Sequence, residues 1–192
     1  HRVVAALDCE LIPQKMPESV TLWQSHLENG RKRNYGEWMP AHGAEPPHLK
    51  TVPLTLPAED DRKQRTIHTL SMPVSSGDQP PVILQPETKI RVRGKIASSH
   101  RIWFGMTLCR ENGDFAGRFQ TILPAEEFMS GEPFEVVLNL TDYHLDPSLA
   151  QWAESLPKDP YGLIVQNIWC HTLWDSAGLE VSEIELMTAT DQ

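Results

Sequence analysis

From about Gln64 onward, apolar and polar residues alternate with a period of two, as strands with one buried and one wet face require. Ile90, Val92 and Ile96 alternate with Arg91, Arg93 and Lys95. Ile102, Phe104, Met106 and Leu108 repeat the pattern, and Phe115, Phe119 and Leu123 then share one phase. Between these two segments lies Glu111-Asn112-Gly113-Asp114, a hairpin turn, because Asn and Gly tolerate positive φ. Phe134, Val136, Leu138 and Leu140 define a further alternating strand, and residues 65–73 are strand-like around Ile67 and Leu70. Residues 163–173 are apolar in both phases, as in a strand covered on both sides. Leu179 and Val181 share one phase while Ile184 and Leu186 share the other, which predicts a β-bulge near Ser182-Glu183. Pro124-Ala125-Glu126-Glu127-Phe128 predicts one helical turn, with proline and acids at its start. Residues 141–160 read as a long loop carrying Tyr143 and Trp152. Six or more short strands joined by turn chemistry predict an all-β fold, an antiparallel sandwich or barrel. No helix-period segment competes with it.

The first ninety residues read differently. Most of the 16 prolines fall there, and proline is unsuited to helix interiors and central strands. Residues 1–61 are therefore expected to be an extended, proline-rich N-terminal segment packing on a sandwich formed by residues 62–192. Short strands are expected at 21–27 and 49–56. Glu59-Asp60-Asp61-Arg62-Lys63 is expected to be a solvated turn.

The 192-residue chain is long enough to bury about 70% of its unfolded surface, so no disulfide or metal staple is required. Its net charge of −9 disfavours nucleic acid, which needs a basic stripe, and an anionic membrane surface. Apolar stretches fall far short of the ~18 residues of a membrane-spanning helix, so no membrane insertion is expected. Cys9, Cys109 and Cys170 form no CxxC pair, which argues against paired-thiolate zinc. Cys109 and Cys170 are expected in the core, with a disulfide open to them only if their strands are neighbours. The first residue is His1, consistent with a fragment or a processed form.

The phases also expose candidate chemistry. If Ile102, Phe104, Met106 and Leu108 face the core, then Arg101, Trp103, Gly105 and Thr107 face the other way. Arg118 and Gln120 lie out of phase with Phe119, and Trp169 and His171 share a phase. Arg101, Trp103, Arg118, Gln120, Trp169 and His171 then form a candidate ligand-binding cleft. An aromatic plane would cover the apolar face of a sugar while polar neighbours fix its hydroxyls. The competing reading packs Trp103 and Trp169 beneath the N-terminal segment or the 141–160 loop. Trp152 and Trp174 are expected to cover the sandwich end, since burial stabilises an indole. Asp142, His144 and Asp146 at spacing two could ligate a metal, but a solvated loop is preferred, and no metal site is assigned. GxSxG, HExxH and a phosphate-binding Gly-rich loop are missing, and no catalytic residue is assigned.

Four segments carry a family resemblance. They are residues 89–97 followed by 101–109, the hairpin through Phe115-Ala116-Gly117-Arg118-Phe119, Phe134-Glu135-Val136-Val137-Leu138 leading into Leu140-Thr141-Asp142-Tyr143, and the closing pair 162–169 and 178–186. Their order resembles the jelly-roll domains of the galactose-binding-like superfamily, including carbohydrate-binding modules, over about two thirds of the chain. Such domains are also appended to bacterial surface proteins, glycoside hydrolases and FecR-type anti-sigma regulators. The resemblance implies a non-catalytic carbohydrate-binding or ligand-sensing jelly roll within a larger exported or surface protein. Its partners would be a carbohydrate or other small polar ligand and other domains of the same protein, in the periplasm or at the cell surface. It implies no cofactor beyond a structural calcium ion, for which no EF-hand-type loop appears here. The rivals are an extracytoplasmic interaction domain of an anti-sigma regulator and a lectin-fold glycan hydrolase.

Overall fold

The computed structural model describes residues 36–56, 63–74 and 81–187. Among these residues the strands are β1 (Glu37–Met39), β2 (His48–Lys50), β3 (Val52–Leu56), β4 (Arg65–Pro73), β5 (Lys89–Ile96), β6 (Ile102–Cys109), β7 (Phe115–Leu123), β8 (Pro133–Asn139), β9 (His144–Leu145), β10 (Ile164–Thr172) and β11 (Leu179–Met187). They build two antiparallel sheets, ordered β1-β2-β11-β5-β8 and β3-β4-β10-β6-β7-β9.

The chain forms the expected all-β sandwich because the predicted phases meet in one core. Ile90, Val92, Ile96, Leu138, Leu179, Val181, Ile184 and Leu186 come from the five-stranded sheet. Ile102, Phe104, Met106, Leu108, Phe119, Ile168 and Cys170 come from the six-stranded one. Each such side chain gains roughly 1.5–3 kcal/mol by leaving water. The bulge in β11 falls between Val181 and Glu183, where the phase slips. A second bulge, between Val165 and Asn167 of β10, left no mark on a segment that is apolar in both phases. A third irregularity, where Leu108 and Cys109 meet Gly117 and Phe115, corrects the expected inward phase of Phe115. Ala116 is buried there and Phe115 is exposed.

Residues 37–56 contribute strands to both sheets. The segment expected as one strand at 49–56 is two: β2 pairs with β11, β3 pairs with β4, and Thr51 crosses between the sheets. The Thr51 N–H donates to the Leu179 carbonyl at 3.1 Å. Pro53 is tolerated because β3 is an edge strand. The strand expected at 21–27, Cys9 and the 59–62 part of the charge run lie outside the described residues. Residues 125–127 form the expected single turn, a 3-10 turn preceded by Pro124. The long loop contains β9 and a 3-10 turn, Pro147–Trp152, anchored through buried Leu149.

The two arginines of β5 are neutralised across the outer face of their own sheet. Arg91 bonds buried Glu185 of β11. Arg93 bonds Glu135 of β8 at 2.6 Å and Glu183 of β11 at 2.7 Å. The Arg93 guanidinium holds the Glu135 carboxyl below its usual range. This cross-strand ladder explains the alternation of base and apolar residue in β5.

β6 and β10 are neighbours, yet Cys109 stands opposite Ile164 and Cys170 opposite Phe104. Both remain free, buried thiols, and burial pushes both pKa values up. No helix among the described residues is long and apolar enough to cross a membrane.

Candidate functional site

Strand register sets the outer face of the six-stranded sheet. Trp103 of β6 stands between His171 of β10 and Ile122 of β7, and His171 stands opposite Thr69 of β4. One step along, Gly105 lies between Trp169 and Gln120, and Gln120 faces His144 of β9. In the next row Thr107 lies between Asn167 and Arg118. Side chains alternate along each strand, so these residues share one face. Five of the six candidate residues therefore come together through three adjacent strands. The sixth, Arg101, precedes β6 in the same phase, with its guanidinium carbon 5.9 Å from the Trp103 ring centroid, a cation–π distance.

The aromatic rings stack. His171 lies against Trp103 at 5.1 Å between centroids with planes 9° apart, and against Trp169 at 5.4 Å with planes 19° apart. Gly105 makes room for this arrangement, because a Cβ there would overlap the Trp169 ring. A glycine inside an otherwise apolar strand is the signal for such an approach. Both indoles are half-buried, whereas their inner-phase neighbours Phe104 and Cys170 are fully buried. Burial pushes the His171 imidazole down to about 4; the Arg65 charge lowers it further and Asp146 opposes the shift. His171 is thus neutral at neutral pH.

The two sides of this face differ. Toward β4, Ile67, Thr69 and Ser71 are buried, and Ile67 lies outside the main core cluster. Toward β7, Ile122 is 47% exposed, and Arg101 at the start of β6 is exposed. The accessible part of the stack is therefore its Arg101–Trp103–Ile122 side.

Arg118 is committed to local structure. Its Nε lies 3.1 Å from Asp146 Oδ2, and its Nη2 donates to Ser148 Oγ at 2.7 Å. Asp146 also caps the Pro147–Trp152 turn by accepting from the Ser148 N–H at 2.9 Å. Asp142, His144 and Asp146 consequently serve three different ends: Asp142 accepts from Asn139, His144 stands beside Gln120, and Asp146 pairs with Arg118. Among the described residues no group of three or more His, Cys, Asp or Glu gathers as a metal site.

The expected covering role of Trp152 is not seen, since its residue is 51% exposed. Trp174 is 38% exposed and stacks on His100 at 4.8 Å. Arg65, Ile122 and His144 also belong to the aromatic face and were missed as site residues. Arg65 and His144 enter through strands distant in sequence from β6, and Ile122 stands out of phase with Phe119 and so was readable. No protein-family model matches the chain, and no curated protein matches it.

Proposed function

We propose that the outer face of the six-stranded sheet binds a carbohydrate, or a small ligand of similar polarity, without covalent chemistry. On this reading the chain is a jelly-roll-type binding module of a larger extracytoplasmic protein. The observation that carries it is the gathering of Trp103, His171 and Trp169 into one stack, bordered by Arg101, Gln120 and His144. A partly exposed indole supplies an apolar plane for a sugar ring, and the bordering groups supply donors and acceptors for its hydroxyls. Among the described residues no acid stands on the strands of this face, and Asp146 is held by Arg118. That favours binding over glycoside hydrolysis, which needs two carboxylates about 5–10 Å apart.

The test is a glycan array followed by calorimetry on the best oligosaccharide. Trp103→Ala is expected to weaken binding by about 2 kcal/mol, roughly thirtyfold in Kd, as loss of a central aromatic contact does. Circular dichroism should show the fold retained. Undiminished binding by a folded Trp103→Ala variant would remove this face as the site.

A further inference from the structure

The two sheets treat their arginines differently. On the five-stranded sheet Arg91 and Arg93 are both matched by glutamates of neighbouring strands. On the aromatic face, Arg65 and Arg101 have no carboxylate within 4 Å among the described residues. The chain has 26 acidic residues against 17 basic ones, so acids for pairing are plentiful. Among the described residues they are nonetheless left off the strands of this one face.

The register also brings these arginines near each other. Thr69, His171 and Trp103 form one row across β4, β10 and β6. Arg65 lies four residues before Thr69 and Arg101 two before Trp103, on strands running in the same direction. With about 3.3 Å per residue and about 4.8 Å between strands, their Cα atoms are roughly 12 Å apart. Two side chains of that length reach one ligand. The Arg65 charge is felt at His171, which agrees with this placement.

We propose that the ligand of this face is an anionic saccharide, with a sugar ring against Trp103 and its carboxylate or sulfate groups held by Arg101 and Arg65. This rests on the carbohydrate-binding reading and adds the charge of the ligand. A guanidinium presents two parallel N–H donors that match a carboxylate or sulfate, which gives specificity as well as attraction. A locally basic face on an acidic protein also directs an acidic ligand to that face rather than elsewhere. Neutral His171 adds a hydrogen-bonding ring without a second charge to satisfy.

The experiment is calorimetric titration of the intact protein with uronate-containing and sulfated oligosaccharides, each beside its neutral counterpart. The acidic member of the preferred pair is expected to bind at least tenfold more tightly. Arg65→Gln and Arg101→Gln together should remove that preference and flatten the salt dependence. Equal affinity for neutral and acidic members, with loss of both in Trp103→Ala, would overturn the charge assignment while keeping the carbohydrate reading. Retained acid preference in the double variant would also overturn it. Failure of every saccharide to bind would overturn both.

Discussion

Gly94→Ala is expected to destabilise the sandwich by about 3 kcal/mol or more, the upper range for forcing one extra carbon into a packed interior. Gly94 lies in β5, between Phe134 of β8 and Val181 of β11. A Cβ at this position would overlap the Glu180 carbonyl oxygen and stand 2.8 Å from Phe134 Cζ. The first obstacle is backbone next to the β11 bulge, so it cannot rotate aside. The second is a ring that itself packs edge-on against Phe128 at 5.1 Å. Relief would therefore require moving β11 relative to β5, and the two carry the charge ladder between them. Urea unfolding of the two proteins measures the difference; a loss below about 1 kcal/mol would contradict the packing described.

The second large effect is acid sensitivity from His171. Its folded pKa of about 4 lies below the ordinary value of about 6.5. Below about pH 6.5 the unfolded chain takes up a proton at this ring, while the folded chain does not until about pH 4. Stability from this group is thus complete above about 6.5 and is lost as pH falls toward 4. At about 1.4 kcal/mol per unit, and allowing for a half-buried ring, the loss is on the order of 2–3 kcal/mol. Protonation would set a charge into the aromatic stack, already near Arg65. His171→Phe keeps a flat ring between the indoles and has no proton to gain. The stability difference between wild type and this variant should change by that amount between pH 7 and pH 4. Parallel pH profiles would show that His171 is not the group responsible.

Much of the fold was readable because a period of two records which side of a strand is wet. The inner residues of β5, β6, β8 and β11 follow directly from it, and the phase slip at Ser182-Glu183 marks a real bulge. The method fails where the pattern is silent. β10 is apolar on both sides, so its bulge at Gln166 is hidden. The stretch 49–56 reads as one strand because nothing in its pattern marks the crossing at Thr51 that splits it into β2 and β3. Phe115 looked inward until a local irregularity turned it out.

The site was readable to the same degree. Outward phase follows from inward phase, so Trp103, Arg118 and Gln120 could be placed on outer faces, whereas Trp169 and His171, on a strand apolar in both phases, could only be given a common phase. Their meeting depends on β10 lying between β4 and β6, which periodicity does not report. Sequence order likewise conceals the pairing of Arg118 with Asp146, which makes Arg118 a clamp on the Pro147–Trp152 turn.

The central claim is that the half-buried stack, and not the exposed loop tryptophans, meets the ligand. Indole N–H resonances, assigned by single Trp→Phe variants and followed during titration with the best-binding oligosaccharide, test it most directly. Saturable shifts of Trp103 and Trp169, with Trp152 unmoved, are predicted. Saturable binding that moves Trp152 or Trp174 and leaves Trp103 and Trp169 in place would contradict it.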